Sequence, residues 1–200
     1  QNTTKLDSIL ELGDDLISLN DFEAAEKRYD EALDMNENYP PALEKKVRVL
    51  ILQNKYSKAG KVLDDAIESH PGHAAFYMYN GQVLIEKENF EDALEDLNKA
   101  LDLANSNSDP ELLNKIYVNR GAAYQKLGQF DKALEDYSQA LDLNDQNPNV
   151  FIYRGFLYYK QDNYEKAISD FRKVLDLDPN NHVALYNIGM SHFKKGEKLD

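Results

Sequence analysis

Apolar residues along this chain recur at intervals of three and four. Phe90, Ala93, Leu94, Leu97, Ala100 and Leu101 form one such series, and the spacing places them on a single stripe of an amphipathic helix. Two kinds of break interrupt the stripes. One is a short polar turn, seen at Leu19-Asn20-Asp21, Lys87-Glu88-Asn89, Leu127-Gly128-Gln129 and Gln161-Asp162-Asn163. The other carries proline among turn formers, as in Asn36-Glu37-Asn38-Tyr39-Pro40, His70-Pro71-Gly72, Asn144-Asp145-Gln146-Asn147-Pro148 and Asp178-Pro179-Asn180-Asn181. At each of these one helix stops and the next starts. The pattern predicts helix, tight turn, helix, looser turn, repeated along the chain.

A fixed register underlies the alternation. Gly13, Gly81, Gly121, Gly155 and Gly189 are separated by 68, 40, 34 and 34 residues, where 68 is twice 34 and 40 is 34 with six inserted. The period is therefore 34. Ala25, Ala93, Ala133 and Ala167 each follow one of these glycines by 12 residues, and Ala59 fills the remaining slot. A second small-residue column comes seven residues later, at Ala32, Ala66, Ala100 and Ala140, with Val174 as its bulkier member. Aromatic residues precede the first alanine column by three, at Phe22, Tyr56, Phe90, Phe130 and Tyr164. Glycine inside a helix costs about 1 kcal/mol relative to alanine, so its recurrence predicts a compensating close approach. The expected neighbour is the paired helix, whose alanines face the same seam and leave no room for a larger side chain.

The glycine in the first helix, Tyr124 and Tyr158 three residues after it, the alanine and aromatic columns, and Pro71 and Pro179 closing a unit together resemble the tetratricopeptide repeat family. The resemblance implies an all-α fold, a right-handed α-solenoid of tandem 34-residue helix-turn-helix units forming one domain over 1–200. The expected units are 6–39, 40–73, 74–107, 114–147 and 148–181, with an insertion at 108–113 and a lone first helix over 182–200. Pro110 is expected to start the helix after the insertion early. In the second unit Val47 takes the glycine slot among Lys45, Lys46 and Arg48, which predicts looser packing there or a different neighbour. The last unit stops without a second helix, so its lone helix is expected either to be a polar-faced cap or to be followed by a continuation of the chain.

Composition narrows the function. A formal net charge of −13 and a sequence pI near 4.7 argue against nucleic acid and anionic membrane as partners, because both draw affinity from clustered Lys and Arg. The chain contains no cysteine, which excludes disulfides, thiolate nucleophiles and Cys-ligated zinc while suiting cytosol and periplasm alike. No apolar run reaches signal-peptide or transmembrane length, so the chain is not expected to insert in a membrane by itself, and a removed targeting segment is left open. His70, His73, His182 and His192 have no evident nucleophilic partner. His70-Pro-Gly-His73 reads as a turn rather than a metal site, and Asp176-Leu-Asp178-Pro-Asn180-Asn181 imitates a calcium loop without its Gly and Glu. Glu95 with Asp96, and Glu135 with Asp136, read as solvating charge on the outer face of second helices. No catalytic residue, cofactor or metal is expected.

What the resemblance implies instead is a non-catalytic scaffold or adaptor, with first helices lining a concave groove for a protein or peptide partner. By that resemblance the inward positions are Met78, Tyr79 and Gln82 in the third unit, and Asn119 and Lys126 in the fourth. Ile152, Tyr153, Phe156, Tyr159 and Lys160 follow in the fifth, then Tyr186 and Asn187 in the last helix. Aromatics with lysine at the margin suit partner binding, since they supply rigid contact area at low entropic cost. Two alternatives stand beside this reading. Stacking through the terminal helix would make the chain an assembly module and a homo-oligomer. Asn119 stands where some family members place the central Asn of a clamp for the carboxylate ending a chaperone tail, although Met78, Gln82, Asn149 and Tyr153 occupy four other clamp positions, where Lys, Asn or Arg is wanted. Charge also divides along the chain: residues 1–39 carry net −8 and residues 114–200 net 0, so the acidic end could steer a basic partner.

Overall fold

The computed structural model describes residues 2–104 and 109–196. Every element among the described residues is an α-helix, and the helices fall into two compact units, Gln1–Asn105 and Ser106–Asp200. Unit 1 holds three helix pairs: α1 (Asn2–Ser18) with α2 (Phe22–Met35), α3 (Pro40–Leu52) with α4 (Tyr56–Ser69), and α5 (Ala74–Glu86) with α6 (Phe90–Leu103). Unit 2 holds α7 (Pro110–Lys126) with α8 (Phe130–Leu143), α9 (Pro148–Lys160) with α10 (Tyr164–Leu177), and then α11 (His182–Lys195). Inside each unit every helix packs on its neighbours in sequence, the stacking of an all-α helical repeat solenoid. Residues 105–107 of the expected third unit, Ser108 of the insertion and the end of the terminal segment, 197–200, lie outside the described residues.

Helix ends follow the turn chemistry of the sequence. Pro40, Pro110 and Pro148 open α3, α7 and α9, where the missing N–H costs nothing; the helix after the insertion does begin at Pro110. Asp21, Asn163 and Asn181 cap α2, α10 and α11 by accepting the backbone N–H three residues on. The tight turns share one backbone device. Asn20, Asn54, Glu88 and Asp162 have φ between 58° and 62°, and Gly128 has φ 72°, one such residue at the same register position in every pair. That left-handed residue reverses the chain so that the N–H of the residue directly after it donates back to a first-helix carbonyl, as Asp21 does to Leu16 and Gln129 to Tyr124, each at 2.9 Å.

The seam within each pair differs from expectation in one respect. Both alanine columns are wholly buried, but they are not what fills the space beside the glycine. A Cβ on Gly121 would lie 2.8 Å from the Tyr137 ring, one on Gly81 2.5 Å from Leu97, and one on Gly155 3.0 Å from Phe171. Tyr29 occupies the same place against Gly13. A large side chain sixteen residues after the glycine is therefore the knob, and the glycine is its hole. Tyr29, Leu97, Tyr137 and Phe171 are all fully buried, and the two tyrosines satisfy their hydroxyls at the seam's edge, Tyr29 on Asp14 Oδ1 at 2.9 Å and Tyr137 on Gln125 Oε1 at 2.8 Å. In the second pair Val47 takes the glycine position and Leu63 the knob position, and both side chains are wholly buried.

Gly121→Leu should therefore lower stability by about 2–3 kcal/mol, since the added carbons must displace a buried ring. Urea unfolding followed by circular dichroism measures it; a Leu variant as stable as the parent would show that the glycine is not a packing requirement.

Candidate functional site

First helices of successive pairs lie directly against one another, α1 against α3, α3 against α5, and α9 against α11. They form the inner row of each unit, with the second helices behind them. This closeness alters part of the expected site. Met78 is only 2% exposed and Tyr79 only 9%, so of the expected groove positions on α5 these two offer little surface to a partner. Gln82 is half-buried. Tyr79 borders a shallow depression of about 210 Å³ with Pro41, Glu44, Lys45 and Arg48. Charge there is largely matched, since Lys45 Nζ donates to Asp14 Oδ2 at 2.5 Å and Glu44 Oε1 faces His73 Nε2 at 2.7 Å.

The inner face of unit 2 is different. On α9, Tyr153 is 41% and Phe156 37% exposed, with Lys160 exposed beside them and Ile152 and Tyr159 half-buried. Residues 153, 156 and 160 share one helix face by their spacing. The rings are held in place from below: Tyr153 packs on the buried Tyr137 with centroids 5.8 Å apart, and Tyr159 meets Tyr164 edge-on at 5.6 Å. Lys160 Nζ lies 5.0 Å from the Phe156 centroid and 5.5 Å from that of Phe130, within cation–π range of both. On α7, Asn119 is half-buried and Lys126 exposed. On α11, Tyr186 is 67% exposed, whereas Asn187 turns its amide back to donate to the Val183 carbonyl at 2.7 Å. Of the remaining clamp positions, Asn149 is exposed and Gln82 half-buried; none supplies the cation that a chain-terminal carboxylate needs.

Two buried ion pairs overturn the reading of Asp136 as an outer, solvating charge. Arg120 Nε and Nη2 donate to Asp136 Oδ2 and Oδ1 at 2.8 and 2.7 Å, and Asp136 is 2% exposed. Arg154 grips Asp170 in the same bidentate way at 2.9 and 2.8 Å and adds a bond to Ser138 Oγ at 3.1 Å. Asp96, also half-buried, accepts from Asn80 Nδ2 at 2.6 Å. The reason is the knob register. Each arginine directly precedes a glycine and each aspartate directly precedes a knob, so the same close approach that seats the ring brings the pair together. Glu95 and Glu135 are exposed, as expected. Burial pushes the Asp136 carboxyl upward, Arg120 pulls it back, and hydrogen bonding to Asp136 holds the guanidinium charged; the bidentate geometry decides for the ionised pair. The recurrence of Arg and Asp sixteen residues apart was the available signal.

Family models of the tetratricopeptide repeat match residues 16–83, 115–147 and 148–181, and an SHNi-TPR model matches 81–111. The chain belongs to the tetratricopeptide repeat family. The two later matches coincide with the α7/α8 and α9/α10 pairs. No curated protein matches the chain in sequence. Among solved structures, a thermophilic TPR protein of Thermus thermophilus is 23% identical over 94% of this chain and 99% of its own, with TM-score 0.75. Pseudomonas aeruginosa pilF is 19% identical over 98% of this chain and 87% of its own, with TM-score 0.82. YrrB, described as a TPR protein with an unusual peptide-binding site, is 22% identical over 93% and 96%, with TM-score 0.61. These likenesses concern the fold. Tetratricopeptide repeats generally mediate protein–protein interaction and are generally non-catalytic.

Among the described residues of this tetratricopeptide chain, no helix is long and apolar enough to cross a membrane, and no three His, Asp or Glu side chains gather as metal ligands do. The residues that imitate a calcium loop form a helix-ending turn, with Asn181 capping α11 and donating to Asp178 at 3.0 Å.

One more buried carboxylate ties successive repeats together in unit 1. Glu26 on α2 receives Lys58, Lys55 Nζ at 3.0 Å and Gln53 Nε2 at 3.1 Å. Burial opposes its ionisation, but the hydrogen bonds from Lys58, Lys55 and Gln53 outweigh burial and hold the carboxyl down to about 2 from an ordinary 4.5. A carboxyl depressed on folding contributes stability that is complete above pH 4.5 and is lost as pH falls through about 2. Glu26→Gln should therefore cost roughly 2–3 kcal/mol near neutral pH. In urea titrations of both proteins the gap should close between pH 4.5 and about 2; a gap independent of pH would refute the ionic account.

Proposed function

We propose that the chain is a non-catalytic scaffold that holds an extended or helical segment of a protein partner against its first-helix faces, chiefly that of unit 2. The exposure of Tyr153 and Phe156 on α9 carries this reading. Large aromatic side chains left in water forgo about 25 cal/mol for every Å² that a partner would cover, and rigid rings make good anchors because little side-chain entropy is lost when they are covered. Tyr186, Lys160, Ile152 and Tyr159 extend the same surface, while Asn119 and Lys126 on α7 and Asn187 on α11 border it. The peptide-binding site described for YrrB supports a peptide as the kind of partner.

Peptides selected against the protein from a random display library should lose at least about tenfold in affinity, about 1.4 kcal/mol, when Tyr153→Ala and Phe156→Ala are combined and the helix content is unchanged. Selected peptides that bind the double variant as tightly as the parent would place the binding surface elsewhere.

A second reading has an observation of its own. On α11, Phe193 is 72% exposed and Leu185, on the same side of the helix, 53%, apolar surface that a second copy could cover. Sedimentation across a dilution series should then show a dimer that Phe193→Asp dissociates; a monomer at every concentration excludes assembly through this helix.

A further inference from the structure

A lysine column runs through unit 2 where the fold has no need of it. Lys126, Lys160 and Lys194 stand 34 residues apart in the last turns of α7, α9 and α11. The same register slot in unit 1 holds Ser18, Leu52 and Glu86. A cation in the last turn of a helix favours its dipole. Yet the other eight helices have no basic residue there, so helix stability does not account for three lysines in one column. All three are exposed, and no carboxylate pairs with any of them among the described residues.

Charge in unit 2 is sorted by helix. The first helices α7, α9 and α11 carry seven Lys and Arg and a single acid, Glu111, whereas α8 and α10 carry seven acids and four cations. Four of the seven cations are already engaged: Arg120 with Asp136, Arg154 with Asp170, Lys115 with Glu111 at 2.5 Å, and Lys195 with Glu165 at 3.2 Å. Lys126, Lys160 and Lys194 are the three that remain. The position of Lys160 coincides with the aromatic stripe, because Phe156 and Tyr153 precede it by four and seven residues and so share its helix face, and Lys126 and Lys194 hold the same register on α7 and α11. Lys160 already lies over the Phe156 ring at 5.0 Å.

We propose that this face takes an acidic segment of a protein partner, with its Asp or Glu carboxylates on the lysine column and its apolar side chains on Tyr153 and Phe156. The proposal rests on the reading of the unit 2 first-helix face as the binding face and adds the chemistry of what binds. A net charge of −13 disfavours acidic segments over the chain as a whole, so the column fixes where such a segment lands and its orientation. Nucleic acid offers negative charge too, but three lysines on an acidic protein give few phosphate contacts, and the apolar surface between them favours peptide side chains.

Fluorescence anisotropy with three labelled peptides of about twelve residues tests it, at about 50 and about 300 mM NaCl. One repeats Glu-Leu-Asp-Phe, the second replaces its acids by Gln and Asn, and the third replaces them by Lys. The acidic peptide should bind at least about tenfold more tightly than the neutral one at low salt, the lysine peptide most weakly, and the advantage should shrink at high salt. Lys126→Gln, Lys160→Gln and Lys194→Gln combined should erase the preference while circular dichroism shows the helix content of the parent. Equal binding of acidic and neutral peptides, or a preference that survives the triple variant, overturns the proposal. If Tyr153→Ala with Phe156→Ala still weakens both peptides in that case, the groove reading stands without an acidic partner. Failure of all three peptides to bind the parent removes both. Oligothymidine bound more tightly than the acidic peptide, and lost in the triple variant, would overturn the peptide in favour of nucleic acid.

Discussion

A ring or leucine pressed onto a glycine is the contact on which the rest of this structure depends. It sets how closely the two helices of a pair approach, and that distance decides what else can meet across the seam. Where Tyr137 sits on Gly121, the residues just before each, Asp136 and Arg120, fall within bidentate range. Phe171 on Gly155 brings Asp170 to Arg154 in the same way. A larger side chain at the glycine would separate the helices and leave a buried aspartate without its cation, a costly state. Packing and charge in the seam are thus one constraint rather than two.

With the seam occupied by glycine, alanine and one large knob, the opposite side of each first helix is released from packing within its own pair. What happens there depends on the next first helix. On α5 the residues Met78 and Tyr79 are closed over, and the inner face of unit 1 keeps mostly matched charges. On α9 the Tyr153 ring is supported from below by Tyr137, and both Tyr153 and Phe156 remain open to solvent. The same repeat therefore yields a filled surface in one place and an open, aromatic one in another, without any change in backbone plan.

Charge follows the same division. The second helices of unit 2 gather the acids that keep the chain soluble, and the first helices gather the cations. Because most of those cations are engaged in the seam or along their own helices, the few left over acquire a directional meaning that net charge alone conceals. A chain of net −13 can thus present a locally basic, aromatic face.

The sequence by itself determined the repeat: the period of 34, the alternation of tight and proline-bearing turns, the start of α7 at Pro110, and the burial of both alanine columns all follow from local chemistry that recurs along the chain. It also contained, unread, the spacing of sixteen that links glycine to knob and arginine to aspartate, a relation between two helices that a search along single stripes does not reveal. Only the tertiary structure decided which inward positions are surface. Tyr79 and Tyr153 occupy the same register position on α5 and α9, yet one is 9% and the other 41% exposed; exposure depends on how near the adjacent first helix lies, and that distance is set by side chains far away in sequence. Asp136 and Glu135 are likewise adjacent acids on one helix; a rotation of about 100° between them sends one into the seam and the other into water, and only the packed pair shows which is which.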